Sequence, residues 1–228
     1  MGAISFSIDE KLLQFFRQKL QVTTFVETGT YQGDSLNMAA EVFSECHSIE
    51  LSQELYEGVK QRFVGRTNIK LHQGESSAIL SANSKQFAEC PVVFWLDAHW
   101  CVGENTKGED SQSPLRAELR AIRSLHSRSV VLIDDARLYL CPPPAPHRFT
   151  DWPDFHDIVV LLQSLSQHHR LMILNDVIIF YPESIKVEMA LFARQQGVDW
   201  LVLANNARQI NVRRKRKTLL QRLGLRKR

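Results

Sequence analysis

Five short apolar runs, each closed by an acid or a glycine and each followed by a stretch with helical spacing, constrain this chain more than any other feature. They are Thr24-Phe25-Val26 ending on Glu27, His47-Ser48-Ile49 ending on Glu50, residues 68–73 ending at Gly74, Val92-Val93-Phe94-Trp95-Leu96 ending at Asp97, and Val130-Val131-Leu132-Ile133 ending in Asp134-Asp135. Strand and helix patterns alternate at intervals of about 20 to 30 residues, which demands a mainly parallel sheet with helices on both faces. The intervening helices are predicted over residues 7–20 behind a cap at Ser7, 34–43, 52–63 behind Ser52, from 75 to about 80, 114–125 and 154–167. Residues 170–174 and 177–181, joined by Asn175-Asp176, predict a terminal antiparallel hairpin. The expected fold is α/β: a Rossmann-like, doubly wound, seven-stranded sheet, mostly parallel with a C-terminal antiparallel hairpin. Ligands bind such sheets outside the carboxyl ends of the strands, near the switch in strand order.

The first of those ends is the most distinctive. Gly29-Thr30-Tyr31-Gln32-Gly33 leads from strand to helix, and two glycines allow a tight turn with close approach of a ligand to the backbone. Tyr31 stands where a dinucleotide fingerprint wants a second glycine, so the turn alone fits either a nucleotide-type site or an ordinary strand-turn-helix corner. Glu50, 23 residues after Glu27, either accepts two hydrogen bonds from a ribose diol or caps the helix that starts near Ser52.

The net charge of +3 conceals a split: ten of the 28 Lys and Arg lie in residues 208–228, which hold no acid, leaving 18 basic against 25 acidic residues before them. We therefore expect a domain over residues 1–204 and a basic tail over 205–228. Arg213-Arg214-Lys215-Arg216-Lys217 with Leu219, Leu220 and Leu223 reads as a basic amphipathic helix for nucleic-acid phosphates, an anionic membrane surface or an acidic partner, or else as a solvated terminus. Trp200-Leu201-Val202-Leu203 would close the domain or serve a homo-oligomer interface. No run of about 18 apolar residues occurs, and neither a signal peptide nor a myristoylation signal is evident, so a cytoplasmic protein is expected. Cys46, Cys90, Cys101 and Cys141 form no Cys-x-x-Cys pair and no His-x-x-x-His occurs, which supports neither a zinc site nor a disulfide framework; Cys46 and Cys90 are expected as small buried hydrophobes.

The order Glu27-x-Gly29-x-Tyr31-x-Gly33-x-Ser35, then Glu50, Gly74-Glu75-Ser76 and Leu96-Asp97-Ala98-His99-Trp100 resembles the class I S-adenosylmethionine-dependent methyltransferases. The glycine loop is similar to the catechol O-methyltransferase type and the later acids to the magnesium-dependent macrocin O-methyltransferase type; uncharacterised bacterial methyltransferase-like proteins are similar too. The resemblance covers roughly residues 20–182. It implies that Glu27, Gly29, Thr30, Tyr31, Gly33 and Ser35 surround the methionine part, Glu50 the ribose, and Gly74 and Ser76 the adenine, while Asp97 and His99 border cofactor and acceptor. It further implies a magnesium ion on Asp97, Asp134 and Asp135, with His99 as general base; alternatively Asp134 and Asp135 satisfy turn backbone and His99 is a supporting hydrogen-bonded histidine. Two departures stand out: Ala98 separates Asp97 from His99, and the insert with Gly103, Thr106, Lys107, Gly108, Glu109 and Asp110 has no counterpart in the catechol type. Trp100 reads as packing more readily than as an adenine stack, and Arg137 and Lys107 as solvated charges more readily than as ligands for an anionic acceptor. The implied activity is O-methylation of a small molecule or glycan. The alternative is a non-catalytic or RNA-binding protein that keeps the fold and uses the tail; transfer from a nucleotide sugar is disfavoured by the early glycine turn and the terminal strand pair.

Overall fold

Strands β1 (Thr24–Thr28), β2 (Glu45–Glu50), β3 (Ile69–Gln73), β4 (Val92–Leu96), β5 (Val130–Ile133), β6 (His169–Leu174) and β7 (Val177–Pro182) form one sheet in the order β3-β2-β1-β4-β5-β7-β6. This is a computed structural model, and it describes residues 8–100, 111–199 and 201–202. The five strands β1 to β5 pair in parallel, and β7 runs antiparallel to both β5 and β6. Every residue of β1, β4 and β5 is buried, because these central strands are covered on both faces; β3 and β6 lie at the edges and are partly exposed. The strand order reverses between β1 and β4: successive connections lead outward to β3, then return to the other side of β1. The mainly parallel seven-stranded sheet and its antiparallel hairpin are as the sequence predicts.

Helices α1 (Glu10–Leu20), α2 (Asp34–Val42), α3 (Gln53–Arg62), α4 (Ser76–Glu89), α5 (Leu115–Ile122), α6 (Arg137–Leu140), α7 (Phe155–Leu165) and α8 (Lys186–Gln196) accompany the strands. Helix α1 is capped by Asp9, whose carboxylate accepts from the Leu12 main-chain N–H at 2.8 Å, and not by Ser7, which lies outside the described residues. Its apolar stripe Leu12, Leu13, Phe16 and Leu20 is buried. Ser52 does cap α3, accepting from the Leu55 N–H. The helix predicted to begin over residues 75–80 is α4 and runs to Glu89, and the one-turn α6 lacks any local signal strong enough to predict it. One core cluster holds Phe94, Ile133, Leu80, Leu119 and Phe180, all close to fully buried, where truncation to alanine costs about 2–5 kcal/mol; Trp95, next to Phe94 in β4, is fully buried as well. Cys46 is fully buried, and burial pushes its thiol up to about 12, as suits a small hydrophobe; Cys90 is half-buried and Cys141 exposed.

Residues 1–189 form one compact unit and residues 190–228 a second. In the second, Leu201 and Val202 are exposed. The basic tail, the insert from Gly103 to Asp110, Cys101, Trp200 and Leu203 lie outside the described residues. Among the described residues no helix is long and apolar enough to cross a membrane.

Candidate functional site

Polar side chains gather at the carboxyl ends of β1, β2, β4 and β5, next to the β1/β4 switch. Glu27 is fully buried in β1 and its two oxygens accept from Ser35 Oγ at 2.7 Å and Ser48 Oγ at 2.5 Å. Thr30 Oγ1 extends the chain to Ser48 Oγ at 2.5 Å. Burial pushes the Glu27 carboxyl up from 4.5 to about 7, opposed by the two serine hydroxyls. Glu50, at the end of β2, accepts from the Tyr31 N–H at 2.8 Å through Oε2 and from the Ser52 N–H at 2.8 Å through Oε1. It thus braces the glycine turn and the start of α3 together, and each oxygen keeps a second lone pair. Arg62 of α3 closes the turn from outside, donating to the Gln32 carbonyl and to Asp34 at 2.7 Å.

The two turn glycines are needed for packing as well as for conformation. Gly29 has φ +81°, and a Cβ there would lie 2.3 Å from the Asp97 carbonyl oxygen; at Gly33, φ +80°, it would lie 2.8 Å from the Phe63 ring. The space that a side chain would take is filled by protein, so both glycines are required by the close packing of the turn on β4 and α3. Tyr31 also adopts a left-handed conformation, φ +49°.

At the other side of the switch, His99 is 7% exposed and bridges two strand ends. Its Nε2 donates to Asp135 Oδ2 at 2.9 Å and its Nδ1 lies 3.3 Å from Asp97 Oδ1. Burial opposes a charge on this imidazole, but the hydrogen bond to Asp135 and the negative fields of Asp97, Asp135 and Asp134 outweigh it and push the pKa up to about 9. His99 thus bridges two carboxylates, with Nε2 hydrogen-bonded to Asp135 and Nδ1 facing Asp97, the supporting arrangement that the sequence offers as the alternative to a base role. Asp97 is pushed upward by burial and by Asp134, although 29% of its side chain stays exposed. Asp135, in a left-handed conformation with φ +56°, also accepts from Arg137 at 2.5 Å; burial would raise its pKa, but His99 and Arg137 hold it below the ordinary value. The expectation of Arg137 as a solvated charge is therefore corrected, since buried Asp176 of the β6–β7 turn binds it as well.

The implied magnesium ion does not fit these donors. Among the described residues no group of three or more His, Cys, Asp or Glu side chains is arranged to hold a metal, and both oxygens of Asp135 already face donating nitrogens. Asp134, 4% exposed, lies beside them.

Two features escape sequence reading. Glu118, on the buried face of α5, is 1% exposed; burial raises its pKa, against hydrogen bonds from the Ser76 and Thr28 side chains, and its Oε1 has no hydrogen-bond partner. The available signal was an acid set within the apolar stripe of Leu115, Leu119 and Ile122. Trp152, buried, brings together Tyr139, His147 and His99 at ring separations of 5.3 to 5.5 Å, with Trp100 edge-on to His147. Trp100 is thus placed in packing. A cavity of about 370 Å³ opens on this cluster, lined by Tyr139, Pro143, Phe149, Trp152 and Phe155. Gly74 keeps its expected place after β3, at φ +140°, and Ser76 opens α4.

No protein-family model matches the chain, and no curated protein matches it by sequence. Solved structures match it in fold. The O-methyltransferase TomG from Streptomyces achromogenes, in complex with SAM, gives a TM-score of 0.52 at 16% identity over 76% of this chain and 78% of that one. A methyltransferase from Geobacter sulfurreducens gives 0.50 at 15% identity over 77% and 80%. A candidate methyltransferase from Streptococcus mutans, in complex with SAH, gives 0.53 at 8% identity over 76% and 96%. With its strand order and its antiparallel β7, the chain has the Rossmann-like fold of the class I methyltransferases.

Proposed function

We propose that the protein is an S-adenosylmethionine-dependent methyltransferase that methylates a hydroxyl of a small molecule or glycan. One observation carries the reading: Glu27, Glu50 and Asp97 stand at the carboxyl ends of adjacent strands on both sides of the switch, with the braced turn between them. The donor set suits the cofactor. Glu50 offers two lone pairs to a ribose diol, Ser76 and the orphaned Oε1 of buried Glu118 offer acceptors on the adenine side, and the carboxylates of Glu27 and Asp97 suit the positive charges of the methionine part. When bound, the cofactor supplies an electrophilic methyl group on a sulfonium.

The residues of the chain then divide the remaining work. The turn from Gly29 through Thr30 and Tyr31 to Gly33 fixes the wall of the pocket because Glu50 holds it at the Tyr31 N–H and Arg62 at the Gln32 carbonyl. Ser35 and Ser48 hold Glu27 in one orientation. His99 holds Asp97 and Asp135 apart, and Asp97, the more exposed carboxylate, takes the proton of the acceptor hydroxyl as its oxygen attacks. Trp152, Tyr139 and Phe149 line an apolar cavity for the acceptor, with Trp152 edge-on to His99. The gathering of carboxylates favours a cationic methyl donor over a phosphate-bearing ligand.

Incubating the full chain with methyl-labelled S-adenosylmethionine and a mixture of hydroxylated metabolites and glycans tests the reading. Label recovered as a methyl ether supports it; label recovered only on nitrogen, or in RNA, overturns the acceptor class. The cytoplasmic location, an anionic partner for the basic tail and self-association are proposed on the sequence alone.

A further inference from the structure

The end of β5 holds a cation of the chain's own. Asp135 presents Oδ2 to His99 Nε2 at 2.9 Å and Oδ1 to the Arg137 guanidinium at 2.5 Å, so each oxygen of the expected metal ligand is engaged by a donating nitrogen. Arg137 has a second anchor. Asp176 accepts from the Arg137 main-chain N–H at 2.9 Å and from its guanidinium, and the Asp176 carbonyl accepts from the Ala136 N–H at 2.8 Å. The Asp135 and Asp176 side chains are 8% and 6% exposed, so two buried carboxylates clasp one guanidinium across strands that adjoin in the sheet. A guanidinium does not deprotonate in proteins, and removing it would leave Asp135 with His99 as its one cation and Asp176 with a main-chain N–H alone. A divalent ion on those same oxygens would stand within contact range of a fixed positive charge.

We propose that Arg137 takes the place of a metal in this chain: its guanidinium fills the cation position at the end of β5 and excludes a divalent ion from Asp97, Asp134 and Asp135. The acceptor oxygen therefore loses its proton to a side chain. Arg137 acts as a positioning residue, holding Asp135 so that Oδ2 meets His99. The inference rests on the methyl-transfer reading only for where the acceptor side lies.

Manganese titration followed by electron paramagnetic resonance tests it on the full chain, with Arg137→Ala, Arg137→Gln, and Asp135→Asn added to the Arg137→Ala chain. The wild type is expected to bind no stoichiometric Mn²⁺ below millimolar concentration, Arg137→Ala to bind at least tenfold more tightly, and the added Asp135→Asn to abolish that gain. A wild type that binds one Mn²⁺ per chain, or an Arg137→Ala chain that binds no better than wild type, overturns the proposal. If Arg137→Ala does not fold, as judged by circular dichroism, Arg137→Gln carries the same comparison, because its amide still donates to Asp176. Binding of S-adenosylhomocysteine, followed by calorimetry without any metal, reports on the methyl-transfer reading, so either reading can fail while the other stands.

Discussion

Nε2 of His99 lies 2.9 Å from Oδ2 of Asp135, 36 residues away in sequence, and this contact ties the end of β4 to the end of β5. It makes the imidazole a charged strut between carboxylates. Asp135→Asn puts a neutral acceptor in place of the carboxylate that favours the charge, so the His99 pKa is expected to fall from about 9 by at least one unit in an NMR titration of the histidine ring protons. A value unchanged in the variant would mean that Asp97 alone sustains the charge.

The same group sets a pH dependence of stability. Its folded pKa, about 9, lies above the ordinary 6.5, so its contribution is fully present below 6.5 and is lost as pH rises through 9. The loss amounts to at most about 3 kcal/mol by linkage. Denaturant melts between pH 6 and 10 should show that decline in the wild type and a shallower one in His99→Gln; equal slopes would contradict it.

Glu27 acts over a lower window. Its carboxyl is raised from 4.5 to about 7, so the folded state binds the proton more tightly and stability falls as pH rises from 4.5 to 7. Glu27→Gln, which does not titrate, is expected to be more stable than wild type above pH 7, by up to about 3 kcal/mol before any loss from its changed bonds to Ser35 and Ser48. The variant should also bind a cationic cofactor on the order of tenfold more weakly. Melting and calorimetry at pH 8 check the two effects separately.

Glycine substitutions separate packing from conformational freedom. Gly29→Ala places a Cβ 2.3 Å from the Asp97 carbonyl at a positive φ, and should cost about 2 kcal/mol or more. Gly58, inside α3 with open space within 4 Å of where a Cβ would stand, should tolerate alanine with a gain of about 0.5–1 kcal/mol. Thermal melts of the two variants must move in opposite directions.

The strands and the acids at their ends were legible in the sequence because each depends on a local pattern: an apolar run, then Glu27, Glu50, Asp97 or Asp134. The same holds for Ser52, whose capping role needs only the three residues that follow. What escaped depends on residues that meet only through the fold. Arg137 finds Asp176 39 residues away, across the β5–β7 pairing, and so turned from an apparent surface charge into the clasp of two buried acids. The glycine turn was recognised, but the Phe63 ring and Asp97 backbone that require its glycines come from the far end of α3 and the end of β4. Glu118 looked like one charge on an amphipathic helix, and only its burial beside Thr28 and Ser76 marks it.

An S-adenosylmethionine pocket at the ends of β1, β2 and β4 makes one quantitative demand, that the demethylated cofactor bind the intact chain. Titration calorimetry with S-adenosylhomocysteine measures this, alongside Glu50→Gln, which exchanges one of the acceptors bracing the turn for a donor. One site per chain is expected, with a dissociation constant on the order of micromolar that weakens at least tenfold in Glu50→Gln. Absence of heat and of any thermal stabilisation at millimolar ligand, with the chain folded, would contradict the pocket.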